Sequence, residues 1–331
     1  GLVDQMGASQ EQSLSSFMED TFFSQMFVIA PPGAVWNYSN LNYIVAGYVA
    51  QEYSGLEYDE IMNQEIFSPL EMTRTSFDSS SVLSDGNWAM GKAGEEIITP
   101  SSYDTPASWP AGFAWSTAQD LASFGQFILD GNTDVMSEDA HHDFSSSRIS
   151  MGVMEEYLMY GNGMMHYAGI SSNAGWHTLE LMYHNGSIPG YGAALYLIPE
   201  QNAGFVSLVG STGAELPSAV LASLDYFGLP PARDFPSEAL PENDFSIYEG
   251  VYQDNWNVGE VRITAMPSGL EVEMPRLDEM NVMYDPQWRP YTKHNFTTTI
   301  DGYDLLVRFE EGDTGQMEYI VHRAFVAQRT E

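Results

Sequence analysis

The chain has 331 residues, of which 44% are hydrophobic and 13% aromatic, enough to bury a full core and to form a larger and a smaller domain. Its 11 basic and 46 acidic residues give a formal net charge of −35, which repels nucleic acid phosphates and anionic lipid and excludes both as partners. No cysteine occurs, which excludes thiol catalysis, disulfides and cysteine-ligated zinc, and no apolar run approaches the roughly 18 residues that a membrane-spanning helix needs. A saline habitat is one hypothesis for the acidity, because only two lysines occur.

The first predicted helix follows residue 40. Ser39 or Asn40 is placed to cap its start, and Gly55 is placed to end it. Its apolar residues recur at helical spacing, and they are Leu41, Ile44, Val45, Tyr48 and Val49. Tyr38 therefore lies at a helix entrance.

Two more helices are predicted in the first half of the chain. One runs from Tyr58 to Phe67 and is closed by the Ser-Pro pair that follows. The other begins at a capping box formed by Ser116 and Gln119 and ends before Gly131. The polar stretch between them, residues 73–102, carries no clear periodicity.

The residue composition and periodicity change after the third predicted helix. Residues 134–176 are rich in Met, Gly, Ser and His without a clean period, which predicts loops and short helices near a pocket. Residues 178–209 predict two or three antiparallel strands, and residues 216–226 a short helix. The stretch 228–244 has four prolines and predicts a domain boundary.

The last part of the chain alternates apolar and polar residues between turn signals, which predicts a small antiparallel barrel or sandwich. The sequence thus predicts a first domain over residues 1–228, a Pro-rich linker over 229–243 and a small all-β domain over 244–331.

Two short motifs combine residue types that acyl transfer uses. Tyr38-Ser39-Asn40 stands at a helix entrance, and His184-Asn185-Gly186 stands at a predicted strand end that enters the turn "HNGSIPGYG". Together with "IFSPLEMTRTSF" and "AGFAWSTAQDLASF", they resemble the serine β-lactamase-like family of class C β-lactamases, DD-peptidases and β-lactamase-fold esterases over roughly residues 1–227. The resemblance implies an α/β fold, an antiparallel sheet flanked by helices and here N-terminally incomplete. The β tail resembles the lipocalin-like domains appended to some members.

The resemblance also implies roles for five residues. Tyr38 corresponds to the proton-relay tyrosine of the family's Y-x-N motif, and Asn40 to the asparagine that holds the substrate amide or carbonyl. His184 corresponds to the cation or donor of the third motif, K-T-G or H-x-G. Gly186 would let the substrate approach the backbone, and the N–H of Ser187 would be one oxyanion donor. No cofactor is implied.

One family motif is missing. The nucleophilic serine belongs to S-x-x-K, yet Lys92 has Ala89 three residues before it and Lys293 has Pro290. We therefore expect the nucleophile to lie in a segment upstream of Gly1 and the chain to be a fragment or a processed product.

Structural explanations compete with these roles. Tyr38 could be a core aromatic, His184 a solvated histidine and Asn40 only a helix cap. A metal site at His141-His142-Asp143 is disfavoured, because adjacent loop side chains rarely converge on one ion, and no metal is predicted.

Three functions follow as hypotheses. The first is a serine hydrolase that acts on an amide, ester or lactam in a small-molecule or peptide substrate. The second is a non-catalytic binding or scaffold protein that retains the fold. In the third, the chain is the stable partner of an N-terminal fragment of the same precursor, because omitting a central helix would expose apolar surface. The β tail could also mediate a homo-oligomer, and the resemblance favours a secreted or periplasmic location.

Overall fold

The computed structural model describes residues 12–103, 105–152, 157–212, 222–226, 228–235 and 244–330. None of the helices in these ranges has the length and apolar character needed to traverse a bilayer. The α-helices are α1 Leu14–Phe17, α2 Phe23–Gln25, α3 Asn40–Ser54, α4 Tyr58–Met62, α5 Ser79–Asp85, α6 Ala118–Asp130, α7 Glu138–Ser146, α8 over residues 222–226 and α9 Pro275–Glu279. π-helical turns at Met18–Phe22 and Asn63–Phe67 extend α1 and α4, and 3₁₀ segments occur at Pro100–Tyr103, Pro106–Ala111, Pro199–Gln201 and Ser246–Tyr248.

A six-stranded antiparallel sheet forms the centre of the first part of the molecule, in the order β10-β9-β8-β5-β4-β3. The pairs β1–β2 and β6–β7 form separate two-stranded sheets. The bounds are β1 Gly91–Ala93, β2 Glu96–Ile98, β3 Ile149–Ser150, β4 Leu158–Gly161, β5 Met164–Tyr167, β6 Ile170–Ser172, β7 Gly175–His177, β8 Leu181–Ile188, β9 Tyr191–Ile198 and β10 Ala203–Val209. The predicted α/β class with an antiparallel sheet and flanking helices is confirmed.

Helices cover this sheet through buried apolar contacts. Helix α6 lies against β9 and β10, and its Gly125 allows the close approach: a Cβ there would lie 3.1 Å from Leu197 Cδ2 and 3.2 Å from Leu195 Cδ1. A second apolar cluster joins α1 and α3 to the 3₁₀ segment Pro106–Ala111. These layers fix the entrance of α3, where Tyr38 and Asn40 lie, relative to the sheet.

The C-terminal part is a closed eight-stranded antiparallel barrel, β11 to β18 in sequence order, and β11 pairs with β18 to close it. The bounds are β11 Gly250–Asp254, β12 Gly259–Met266, β13 Gly269–Glu273, β14 Gln287–Thr292, β15 Asn295–Ile300, β16 Tyr303–Glu311, β17 Met317–His322 and β18 Phe325–Arg329. Its interior is filled by aromatic side chains, the largest of which are Tyr248, Tyr252, Trp288, Phe296 and Phe309. The predicted barrel is confirmed, and its centre is a packed core. The lipocalin-like character stays a prediction.

Several local predictions were wrong. The cap of α6 is Thr117, whose Oγ1 accepts from Asp120 N, while Ser116 Oγ instead bonds Thr75 Oγ1. Residues 134–176 hold a short helix, α7, as predicted, but strands β3 to β7 occur where loops were predicted, because these strands are too short to show a period. Strand β8 continues past His184 to Ile188, so the predicted break at residues 185–188 is a paired strand.

The structure describes only part of the predicted linker. Residues 228–235 form no helix or strand, and Arg233 makes an isolated backbone bridge to Trp176 on β7. Residues 213–221, which include most of the predicted helix 216–226, and residues 236–243 lie outside the described ranges. The boundaries 1–228, 229–243 and 244–331 therefore stay predictions.

The barrel docks on the segment that precedes α3. Arg308 Nη2 donates to the Trp36 carbonyl at 2.5 Å, and Asn37 Nδ2 donates to the His322 carbonyl at 3.0 Å. Phe27 stacks on the barrel residue Trp256 with ring centroids 3.8 Å apart. An apolar cluster adds Tyr319, Val321 and Val326 against Ala30, Ala34 and Val35. The chain on both sides of Tyr38 is thus held between the sheet layer and the barrel.

Candidate active site

A cavity of about 1280 Å³ opens between the entrance of α3, strands β8 and β9, the loop 111–117 and the barrel. All five residues predicted from the motifs line it: Tyr38, Asn40, His184, Gly186 and Ser187. The structure therefore brings the two motifs together in one space.

Tyr38 is positioned by aromatic contacts on two sides. Its ring centroid lies 6.2 Å from that of His184 and 6.4 Å from that of Tyr160, which meets it edge-on. Tyr160 is itself fixed by a 2.9 Å hydrogen bond between its hydroxyl and that of Tyr43. Burial, followed by this hydrogen bond, raises the pKa of Tyr160, so Tyr160 remains a neutral phenol beside Tyr38. Tyr38 thus faces the cavity instead of lying in a helix core.

Asn40 is the first residue of α3, and the cap position belongs to Ser39. The Ser39 side chain makes no capping hydrogen bond, although its backbone is extended as a cap requires. The alternative in which Asn40 serves only as the helix cap is therefore wrong, and its amide stands at the cavity wall.

His184 is a neutral imidazole with a defined tautomer. It lies within β8, opposite Leu195 on β9, and its Nδ1 is 2.8 Å from the Asn185 carbonyl oxygen. A carbonyl can only accept, so Nδ1 carries the proton and Nε2 has a free lone pair. Burial lowers the pKa of His184, so the ring is uncharged at neutral pH. A neutral ring is not the cation that the resemblance offers as one of two alternatives at this position, and the role of His184 stays a prediction.

Gly186 is not required by the packing around it. A Cβ at this position would meet only Ala193 Cβ, at 3.9 Å, which is ordinary contact. The missing side chain is therefore free volume over the cavity floor, next to Ser187, and it allows a ligand to approach the strand backbone.

Part of the cavity lining is an aromatic wall that the sequence did not reveal. Trp115 meets Tyr191 edge-on with centroids 4.9 Å apart. The Tyr191 hydroxyl lies 2.9 Å from the Ile98 carbonyl and accepts from Gly91 N at 2.9 Å. Phe113 also lines this cavity and has a φ of 69°, a strained value for an aromatic residue. Apolar groups of a substrate would be accommodated here.

Three arginines line the cavity, and none was predicted. Arg74 is paired with Asp85 through two hydrogen bonds, of 3.0 and 2.6 Å. Arg308 is buried and its Nε donates to Glu310 at 2.5 Å. Arg323 is exposed at the β17–β18 turn. Two of the three come from the barrel, and no motif links such distant residues to the Y-x-N segment.

A serine–histidine pair occurs outside the cavity. Ser172 Oγ lies 2.7 Å from His177 Nε2, and His177 Nδ1 lies 2.6 Å from the Pro230 carbonyl. Ser172 Oγ also accepts from Ala174 N, which is the usual bond of a serine turn in a hairpin. This pair explains the geometry of the β6–β7 turn and lines no part of the cavity described above.

The His-His-Asp sequence that was considered as a metal site lies in a helix. His141-His142-Asp143 lies in α7 rather than on a loop, and His141 Nε2 bonds the Ile128 carbonyl at 3.0 Å. Across the ranges that the structure describes, no group of three or more His, Asp or Glu side chains could hold an ion.

Comparison with known proteins gives the family. The sequence profile of the family described as "Beta-lactamase" matches residues 10–224. The chain belongs to the beta-lactamase family. It is 24% identical over 190 residues to an unguisins hydrolase of Aspergillus campestris, a match covering 55% of this chain and 34% of that protein. It is also 24% identical over 196 residues to protein flp of Staphylococcus aureus, covering 57% and 36%. This beta-lactamase family chain spans about a third of the length of these relatives.

Two solved structures are similar in fold to nearly the whole chain, including the barrel. The crystal structure of SurE with D-Leu matches with a TM-score of 0.64 and 19% identity, covering 97% of this chain and 74% of that one. The octameric penicillin-binding protein homologue from Pyrococcus abyssi matches with a TM-score of 0.56 and 19% identity, covering 98% and 73%. At these identities the likeness shows a shared architecture.

Proposed function

We propose that the intact protein is a serine hydrolase that forms and hydrolyses an acyl-enzyme on an amide, ester or lactam substrate. The observation that carries the proposal is the juxtaposition of Tyr38 and His184, 6.2 Å apart between ring centroids, in a cavity also lined by Asn40, Gly186 and Ser187. Membership of the beta-lactamase family supports hydrolase chemistry for such a set.

The neutral state of His184 gives a proton path. As the serine Oγ attacks the carbonyl carbon, its proton passes to Tyr38, and the Nε2 lone pair of His184 is available to accept a proton from the phenol. The carbonyl oxygen becomes negative and is held by backbone N–H groups of β8, while Asn40 orients the acyl amide. The leaving nitrogen or oxygen then takes the proton, and water later hydrolyses the ester.

The serine itself is proposed to come from outside the 331 residues. These residues contain no S-x-x-K, and the cavity exceeds the roughly 300–1,000 Å³ of ordinary ligand pockets. A three-turn helix about 10 Å across and about 16 Å long occupies roughly 1,300 Å³. The cavity is therefore about as large as the nucleophile-bearing helix that we propose to be supplied from outside these residues.

The substrate is proposed to be a small molecule or peptide with an apolar group. The Trp115–Tyr191 wall supports this, because fixed aromatic rings favour apolar groups over charged ones. Self-association is a further proposal, supported by the octameric state of the Pyrococcus abyssi homologue of similar fold. Light scattering on the purified protein tests it, and a monomer at all concentrations would contradict it.

A binding or scaffold function is the second candidate, and the absence of S-x-x-K from the 331 residues favours it. Such a protein would use Asn40 and the open strand at Gly186 to hold a ligand without turnover. It predicts ligand binding with no covalent adduct.

A fluorescent fluorophosphonate distinguishes the two. The experiment uses the full-length gene product, or the 331-residue chain combined with its N-terminal fragment. We expect labelling of one serine, mapped by mass spectrometry to S-x-x-K, and at least a tenfold slower rate in Tyr38→Phe. Reversible binding of an acyl-peptide without any labelling would favour the scaffold function and contradict the hydrolase.

A further inference from the structure

The cavity carries little free positive charge near Tyr38. His184 is neutral, because burial lowers its pKa. Arg74 and Arg308 are neutralised by Asp85 and Glu310. The chain as a whole carries a net charge of −35, which disfavours the formation of any anion in the cavity. A hydrolase that uses a phenol as its base needs a compensating cation.

Arg323 is placed to be that cation. Its guanidinium carbon lies 5.1 Å from the centroid of the Tyr38 ring, and the side chain lines the cavity. No carboxylate of the described residues lies within salt-bridge distance of Arg323. Its charge is therefore directed at Tyr38 and the cavity.

The turn that carries Arg323 is held in place from both sides. Arg323 and Ala324 link β17 to β18, and the flanking residues His322 and Phe325 are paired. Ala324 N donates to His322 Nδ1 at 3.1 Å, and the His322 carbonyl accepts from Asn37 Nδ2 at 3.0 Å. The turn is thus bonded to the residue next to Tyr38, which keeps the backbone of Arg323 close to the Tyr38 ring.

Other titratable groups around Tyr38 do not supply this charge. Tyr160, from β4, is a neutral phenol because burial raises its pKa. His322, from the same turn as Arg323, accepts at Nδ1, and burial, followed by the nearby Arg323, lowers its pKa. With His184 from β8 also neutral, Arg323 is the charged group that faces the ring among these described neighbours.

We propose that Arg323 of the C-terminal barrel is a positioning residue that acts through Tyr38, its guanidinium stabilising the phenolate form of that side chain. This inference rests on the proposed function, since it assigns the charge that the base Tyr38 requires. It makes the barrel an electrostatic part of the active site. A unit charge about 5 Å from the ring, partly exposed to solvent, changes the ionisation equilibrium of a phenol by about one pH unit.

The test follows ionisation directly and needs no turnover. 3-Fluorotyrosine is incorporated at position 38 of the 331-residue chain, and its ¹⁹F chemical shift is titrated between pH 5 and 11 in about 0.1 M salt. We expect Arg323→Gln to move the titration midpoint upward by about one pH unit and Arg323→Lys, which keeps the charge, to move it by less than half of that. Arg262→Gln is the matched control, because Arg262 is an exposed barrel arginine that does not line the cavity.

An unchanged midpoint in Arg323→Gln, or an equal change in Arg262→Gln, would overturn the proposal. Arg323 lies in an exposed turn, so the variants should unfold within about 2 °C of the parent chain. Hydrolysis is measured separately in the full-length protein, where Arg323→Gln should shift the rise of the pH–rate profile by the same amount. If Arg323→Gln moves the ¹⁹F titration midpoint as expected but the full-length protein shows no hydrolysis, the proposed function is contradicted. The effect of the Arg323 charge on the ionisation of Tyr38 is then still supported.

Discussion

The rings of Tyr38 and His184 lie 6.2 Å apart at an interplanar angle of 35°, although one stands before α3 and the other within β8. The Nδ1 bond of His184 to the Asn185 carbonyl leaves Nε2 as an acceptor. A phenol and a neutral imidazole therefore share one end of the cavity. This relationship makes both residues testable as members of a proton relay.

Removing the Tyr38 hydroxyl tests the relay. In the full-length protein, Tyr38→Phe should reduce kcat/KM for a chromogenic ester by about 10²–10⁴-fold, because general-base catalysis contributes that much. The phenyl ring keeps the packing against Tyr160, so the unfolding midpoint should change little. Tyr53→Phe is the control, since Tyr53 is 94% exposed on α3, the helix that follows Tyr38. Full activity in Tyr38→Phe would place the base elsewhere.

Acid should destabilise the fold through His166. This side chain is 3% exposed on β5, and burial, followed by the charge of Arg148, lowers its pKa to about 4. The unfolded chain takes up the proton near pH 6.5, and the folded chain does so only near pH 4. The stability is therefore complete above about pH 6.5 and falls as the pH decreases toward 4, by on the order of 2 kcal/mol at pH 5.

Urea unfolding at pH 7 and pH 5 measures this loss. His166→Gln should make the difference between the two pH values smaller, while His142→Gln, on an exposed residue of α7, should leave it unchanged. Some acid sensitivity should remain, because burial also lowers the pKa of His184 and His322. An equal pH dependence in His166→Gln and the parent chain would show that His166 does not control it.

Two glycines of the α3 region should respond differently to alanine. A Cβ on Gly47 would lie 2.3 Å from Pro110 Cγ, so the overlap should outweigh the roughly 1 kcal/mol by which alanine favours a helix interior. We expect Gly47→Ala to lower the free energy of unfolding by about 2 kcal/mol or more. Gly55 ends α3 at a φ of 73° with no atom near its missing Cβ, so Gly55→Ala should cost about 1 kcal/mol. Denaturant unfolding decides both, and a stabilising Gly47→Ala would contradict the contact with Pro110.

Salt should stabilise the chain, because a net charge of −35 repels itself in the compact state. The unfolding temperature should rise by several degrees between about 0.05 and 1 M sodium chloride, as the screening length falls to about 3 Å. Most of the rise is expected below about 0.5 M, whereas sucrose, which does not screen charge, should not reproduce that dependence. A flat profile would contradict both this repulsion and the saline-habitat hypothesis.

The sequence predicted an element correctly where the residues that determine it are neighbours in the chain, and incorrectly where pairing with a distant segment determines it. Helix α3, Asn40–Ser54 with Gly55 as its C-cap, was predicted within a residue because its periodicity and end signals are contained in a few neighbouring residues. Strand β8 was predicted to end too early, because pairing with β9 keeps Asn185 and Gly186 in a strand that their propensity disfavours.

The sequence by itself determined the family, the α/β class with a C-terminal barrel, and the two motifs that carry Tyr38, Asn40, His184, Gly186 and Ser187, since motifs and periodicities are properties of contiguous residues. Only the tertiary structure decided that His184 is neutral, that Trp115 and Tyr191 form the apolar wall, and that Arg323 stands over Tyr38. Burial and charge at a site depend on which distant segments pack together, and the docking of the barrel on the residues before α3 sets those contacts.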